Sequence, residues 1–323
     1  MSVDQQVART PASSALNFSG RAGEIAPIVI KNILLNIVTL GFYRFWGRTN
    51  VRRYLWQHIN LFGTSLEYTG TGGELFKGFL IITFAIFVPY FALFAILQSM
   101  DILSQVEPNP IFEYLTLFGV LFLIGIATHR ARRYRLSRTR WRGIRGAVTG
   151  SSMKYGLMYL GHTLLLLLTL GWWLPMRNVQ LWKVLINQSF WGDRPFQFEA
   201  SARDLYVRFA ICWVLFIPTV GLSILWYKSR ELSTLISGVR YESSAFKLEI
   251  AGTSLFGLYF INYLITVATL GLGLPFTQLR EYRFMIENTT IVGEPDFDAI
   301  LQNPDTGPSS GEGLADAFDM GAV

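Results

Sequence analysis

The sequence predicts an integral membrane protein, mainly α-helical, in which about six apolar helices are arranged in 50-residue strand-helix-helix repeats. The short strands of these repeats are expected to form a small sheet on one membrane face. Composition, apolar run length and spacing predict this class. The chain is 51% hydrophobic and 15% charged, with a mean hydropathy of +0.35, whereas soluble domains carry about a quarter charged residues. Apolar runs that approach or reach the roughly 20 residues needed to cross a bilayer lie near 25–41, 75–97, 111–128, 155–175, 205–227 and 255–276. The words TLG (39–41), TLG (169–171), TVG (219–221) and TLG (269–271) place glycines at 171, 221 and 271, 50 residues apart. A fixed period of that size changes the reading of a whole fold.

Taken in order, the chain opens with MSVDQQVARTPASSA, which lacks the apolar core of a secretory signal peptide. Residues 1–15 are therefore expected to be a disordered tail from which nothing is cleaved. A repeat-built membrane domain is expected over 16–301. Apolar anchors at Phe18, Val148, Phe198 and Leu248 stand 23 residues before Gly41, Gly171, Gly221 and Gly271, and Tyr68 stands 27 after Gly41. Around the anchors, LNFSGRAGE, LEYTGTGGE, FQFEASARD and FKLEIAGTS suit a short strand and tight turn opening into a helix. Each unit then reads strand, turn, apolar helix, glycine pivot, second helix.

The second unit carries a 30-residue insertion, since Tyr68 and Val148 are 80 apart. The extra length predicts two full spans at about 75–128, joined by an acidic loop containing Asp101 and Glu107. Leu121 is the expected pivot equivalent, which aligns Arg133 with Arg53, Lys183 and Arg283, each twelve residues after its own pivot. The post-pivot helices, such as FYRFWGRTNVRRYLW, mix aromatic and basic residues. That composition belongs to interfacial amphipathic helices, expected at the membrane surface. Residues 302–323, rich in Gly, Ser and Asp without periodicity, read as a disordered acidic tail.

The segments FSGRAGE, NILLNIVTLGFYRFWGRTNVRRYLW, LEYTGTGGELFKGFL and RYRLSRTRWRGIRG resemble the DUF898, or YjgN-like, family of bacterial inner-membrane proteins of unknown function. The resemblance covers roughly 16–300 and implies a multi-pass inner-membrane protein, with no substrate attached. The third and fourth pivots depart from the first, with GWWLPMRN and GLSILWYK in place of GFYRFWGR.

Two arguments about topology conflict. If all six helices span, Lys and Arg in the flanks number seventeen on one side and eight on the other, which places both termini in the periplasm. Alternation, however, puts equivalent strands on opposite sides, where they cannot pair. The one-sided alternative makes the ordinary units re-entrant, with only the inserted pair crossing fully. It places Arg44 three residues past a pivot, and a charge deep in hydrocarbon costs roughly 2.5–3.5 kcal/mol on insertion scales. The periodicity favours the one-sided arrangement.

Four groups of side chains are candidates for function. Asn32, His162, Cys212 and Asn262 recur nine residues before the pivots, either as interhelical hydrogen-bonding groups or as the lining of a pathway. Lys31, lodged among apolar residues, either snorkels to the surface or lines water. Arg130, Arg132, Arg133, Arg135, Arg138, Arg140, Arg142 and Arg145 read first as a positive-inside signal and second as contacts for anionic lipid headgroups. Glu24, Glu74 and Asp204 stand where helices start and read as capping groups; the sharper alternative has Gly70, Gly72 and Gly73 cradle an anion. Thr39, Thr169, Thr219 and Thr269 read as structural partners of the pivots.

The single Cys212 and three scattered histidines lack metal-ligand spacing, so no cofactor, metal or catalytic residue is expected, and nucleic acid is not an expected partner. The reading is a non-enzymatic conduit or transporter for a small solute or ion. The alternative is a lipid-binding or structural membrane scaffold, and a lipid-modifying enzyme is a weaker third. Membrane lipids are the expected partners, and homo-oligomerisation is left open.

Overall fold

The computed structural model describes residues 15–100 and 110–303. The expected acidic loop with Asp101 and Glu107 lies outside the described residues, as do 1–14 and 304–323. Ten long helices are described, besides a 3-10 turn at Phe297–Ala299: α1 (Ala22–Val38), α2 (Arg44–Gln57), α3 (Gly72–Ser99, with a π-helical turn at Thr83–Phe87), α4 (Pro110–Arg138), α5 (Ser152–Leu168), α6 (Leu174–Asn187), α7 (Arg203–Leu215), α8 (Ser223–Ser237), α9 (Gly252–Ala268) and α10 (Leu274–Glu287). The strands are β1 (Leu16–Phe18), β2 (Ile59–Leu61), β3 (Thr64–Ser65), β4 (Glu67–Tyr68), β5 (Thr139–Trp141), β6 (Ile144–Val148), β7 (Ser189–Trp191), β8 (Arg194–Phe198), β9 (Val239–Tyr241), β10 (Ser244–Leu248) and β11 (Thr289–Val292).

The strands alternate between two kinds of antiparallel pairing. A strand that leads into a helical hairpin pairs with the strand that leaves it, as Phe18 with Ile59, Val148 with Ser189, Phe198 with Val239 and Leu248 with Thr289. The leaving strand then turns directly into the next leading strand, as Trp141 with Ile144 and Trp191 with Arg194. These links hold two residues, and positive φ at Phe62 (46°), Arg142 (50°), Gly192 (59°) and Glu242 (50°) matches the twist that short hairpins need. The order runs β11-β10-β9-β8-β7-β6-β5-β4, with β1-β2-β3 as a second sheet. Only Leu66 separates β3 from β4, and β1 lies against β11. The strands thus go round as a ring.

Below the ring hang four helical hairpins, α1–α2, α5–α6, α7–α8 and α9–α10, and the long pair α3 and α4. Each hairpin reverses at the same kind of turn. Thr39, Thr169, Thr219 and Thr269 donate from their hydroxyls to the carbonyls four residues back at 2.6–2.7 Å. The same hydroxyls accept from the amides of Tyr43, Trp173, Ser223 and Gly273. Between them, Leu40, Leu170, Val220 and Leu270 hold φ near 50°, followed by Gly41, Gly171, Gly221 and Gly271 at φ 83–94°.

Among the described residues, two stretches are long and apolar enough to cross a membrane, Gly72–Ser99 and Glu113–Arg138. The apolar arms of the hairpins hold 17, 17, 13 and 17 residues, about 20–25 Å at 1.5 Å per residue, because the turn interrupts each run before its end. The long apolar runs read from the sequence include the turn and the start of the returning helix.

Three further expectations change. Leu121 lies inside α4, with no pivot turn. The second helices pack alongside the first arms instead of lying apart at a surface: Val51, Tyr54 and Leu55 of α2 are buried with Ile25 and Val29 of α1 and Leu279 of α10. The packed chain also extends past the expected tail boundaries. Ala15 accepts from the Phe62 amide, Gln302 accepts from the Arg145 amide and Asn303 donates to the Gly192 carbonyl. Between the long pair and the next hairpin, a Cβ on Gly125 would lie 2.8 Å from the Gly156 Cα, so α4 and α5 approach almost to backbone contact, as small residues permit.

Candidate functional site

The polar positions recurring in the first arms each bond within their own hairpin, to the returning helix or to the residue that caps it. Asn32 donates to the Gly47 carbonyl at 3.2 Å and accepts from Asn50 at 3.1 Å. His162 Nδ1 accepts from Trp173 Nε1 at 2.9 Å, with the rings stacked. Ser223 Oγ donates to the Cys212 carbonyl at 3.0 Å. Asn262 donates to Glu281 and accepts from Arg280, both at 3.0 Å. These contacts lie in four separate hairpins, so the structure does not bring Asn32, His162 and Asn262 together. Lys31 is exposed on α1, beside shallow clefts with Asn32, Asn50 and Arg53.

The arginine run is divided among different surroundings. Arg132 donates to Ser189 at 3.1 Å and lies over the Trp182 ring. Arg138 grips the Glu74 carboxylate at 2.6 Å, which also accepts from Tyr134 at 2.8 Å and from the Thr71 amide in a capping box. Glu74 therefore caps α3 and ties it to α4, and its carboxylate occupies the place where an anion was considered. Gly72 belongs to this packing, since a Cβ there would lie 2.7 Å from the Trp46 Cα. Arg140 pairs in register with Glu67 and Arg145. Arg142 stacks on Trp141 and Phe297 at 4.9 and 4.3 Å, while Arg130 faces outward and Arg133 and Arg135 are half-buried on α4.

Two recesses were not anticipated as sites. The first, about 320 Å³, lies between α1, α2 and the turn into α10; its polar lining is Asn32, Asn36, Arg44, Arg48, Arg52 and Gln278. The three arginines form one stripe on α2, four residues apart, which a helix stacks on one face. Arg44 also sits over the rings of Phe45 and Phe79 at 4.9 and 5.1 Å. Their i, i+4, i+8 spacing is visible in the sequence, but the α10 wall is more than 200 residues away.

The second recess, also about 320 Å³, is the interior of the strand ring, walled by aromatic side chains from β5, β7, β8, β9 and β10 and by Phe297 from the segment after β11. Its signal was the 50-residue spacing of Trp141, Trp191 and Tyr241. Burial, with Glu242 and Asp193 nearby, holds the Tyr241 phenol above its ordinary range. The phenol thus stays a donor to the Trp191 carbonyl at 3.1 Å. Among the described residues, no three His, Cys, Asp or Glu side chains are placed to hold a metal ion.

Fold and recesses together define a mainly helical protein with two helices of membrane-crossing length and apolarity. Residues 13–226 and 214–317 match the family described as bacterial protein of unknown function (DUF898), and the chain belongs to that family. It is similar to the inner membrane protein YjgN of Salmonella typhimurium strain LT2, 32% identical over 109 residues, which are 34% of this chain and 24% of that protein. The inner membrane protein YjgN of Escherichia coli strain K12 is 24% identical over 271 residues, 84% of this chain and 59% of that protein. The chain thus matches between a quarter and three-fifths of these relatives' lengths. No solved structure matches.

Proposed function

We propose that the chain is a non-enzymatic, multi-pass protein of the bacterial inner membrane that provides a binding path for a small anionic solute between its first and last hairpins. The supporting observation is the cleft lined by Arg44, Arg48 and Arg52 with Asn32, Asn36 and Gln278, whose described lining contains no Asp or Glu. Arg44 begins just past the apolar turn at Leu40, the deep end of a hairpin that dips into hydrocarbon. The stripe rises about 12 Å from there toward the strand ring. An arginine at the depth of Arg44 costs roughly 2.5–3.5 kcal/mol, which water or an anion in the cleft would offset.

In this reading the 50-residue units lie one-sided, with the strand ring at one membrane face and only the long pair crossing fully. The names of the curated relatives support the inner membrane as the location. The test is flux of chloride and inorganic phosphate into vesicles reconstituted with the purified chain. Flux of either anion that falls at least tenfold in Arg44→Gln with Arg48→Gln supports the reading. Flux no greater than in empty vesicles removes it.

A second reading, a lipid-binding scaffold, is favoured by the four exposed apolar turns and by the outward-facing Arg130. Binding to vesicles that strengthens with anionic lipid content and weakens in Arg130→Gln supports it. Indifference to both counts against it.

A further inference from the structure

The ring interior is aromatic and nearly free of polar surface, so every polar atom bordering it needs a partner. Most have one. Trp141 Nε1 donates to the carbonyls of Leu61 and Thr64 at 3.1 and 3.2 Å. Trp56 Nε1 donates to Thr139 Oγ1 at 2.9 Å, which itself donates to the Arg135 carbonyl. Two do not: Trp191 Nε1 and Ser244 Oγ are buried, with residue exposures of 8% and 2%, and neither has a hydrogen-bond partner. Both residues line the cavity, one from β7 and the other from β10.

We propose that this cavity is a binding site for an uncharged, largely apolar carbonyl compound. The walls exclude a charged ligand, because none of the lining residues is ionised at neutral pH to pair with it and desolvating a lone charge is prohibitive. An indole N–H only donates, and a serine hydroxyl donates as readily as it accepts. Acceptor oxygens on the ligand satisfy both orphans once small side-chain shifts open Trp191 Nε1 and Ser244 Oγ, which are closed off in this structure, to the cavity. Flat rings stack well against Trp141, Phe246 and Phe297, and about 320 Å³ is at the lower end of ligand cavities. A single water is a poor tenant, because it finds few polar partners in such a chamber. The Tyr241 hydroxyl is already committed to the Trp191 carbonyl, so it does not compete for the ligand.

The probe is the two-ring quinone menadione, titrated calorimetrically into the full chain in neutral detergent, with naphthalene as the same ring system lacking oxygens. Saturable menadione binding is expected, weakened about five- to tenfold in Trp191→Phe and in Ser244→Ala. Naphthalene should bind more weakly and equally to wild type and both variants. The cavity-filling Ser244→Leu should lose saturable binding while melting at a comparable temperature. Unaltered affinity in both Trp191→Phe and Ser244→Ala overturns the proposal, as does menadione uptake identical in wild type and a folded Ser244→Leu, which is detergent partition alone. If Trp191→Phe fails to fold, Ser244→Ala decides.

Discussion

At the scale of single residues, the reversal at each hairpin tip concentrates conflicting demands. Leu40, Leu170, Val220 and Leu270 adopt left-handed backbone at 83–91% exposure, where a side chain other than glycine costs about 1–2 kcal/mol. Asparagine would suit that backbone better in water. An apolar residue there makes sense when the tip sits in hydrocarbon, where a buried Leu contributes roughly 1.5–3 kcal/mol relative to water. The threonine beside it spends both its donor and its acceptor inside the turn, leaving little for lipid to satisfy. Gly271→Ala should therefore lower stability by about 1–2 kcal/mol, and Thr269→Val by about 1–3 kcal/mol through the abandoned Gly273 amide. Gly257→Ala, mid-helix with open space around it, should be neutral or stabilising by up to about 1 kcal/mol. Thermal unfolding in detergent measures all three, and equal losses at 257 and 271 would contradict the strain argument.

At the scale of elements, a hairpin arm of 17 residues is about 25 Å long, short of a roughly 30 Å hydrocarbon core, whereas α3 has 28 residues. The arms and the long pair should consequently behave differently toward water. With Cys212 replaced, single cysteines at Ser19, Ser65, Glu199 and Glu249 should all react with an impermeant maleimide from the same side of the membrane. Cysteines at Leu40, Leu170, Val220 and Leu270 should resist it from both sides. Strand positions labelled from opposite faces would restore the alternating six-span arrangement. The β-ladder makes that outcome hard to accommodate, since Val148 pairs with Ser189 and Phe198 with Val239 in one continuous sheet.

At the scale of the whole molecule, closure of the ring depends on contacts between the first and last units. The Arg283 guanidinium donates to the Gly20 carbonyl, and Leu279 enters the core formed by Ile25 and Val29. Lys183 holds the equivalent place in α6 and is exposed. Arg283→Leu should cost about 1.5–3 kcal/mol, the range of a charged hydrogen bond. Lys183→Leu should stay within about 0.5 kcal/mol. Melting temperatures that fall equally in both variants would show that closure adds nothing to stability.

What the sequence determined by itself was local. The Thr-Leu-Gly turns were readable because their hydrogen bonds join residues four apart, and the leading strands because Phe18, Val148, Phe198 and Leu248 carry alternation beside small residues. The leaving strands escaped notice because their turns, such as Phe62-Gly63 and Arg142-Gly143, lack the Asn-Gly or Asp-Gly signature of a two-residue hairpin. The polar groups at Asn32, His162 and Asn262 were legible as positions, while their attachment to separate hairpins was not. Only the tertiary structure decided that Arg44, Arg48 and Arg52 share a cleft with Gln278, and that Trp141, Trp191 and Tyr241 face one chamber. Hydrophobic period reports which residues leave water, but not which of them meet. That is settled by strand pairings across about 40 to 70 residues and by the closure that sets residue 20 against residue 283.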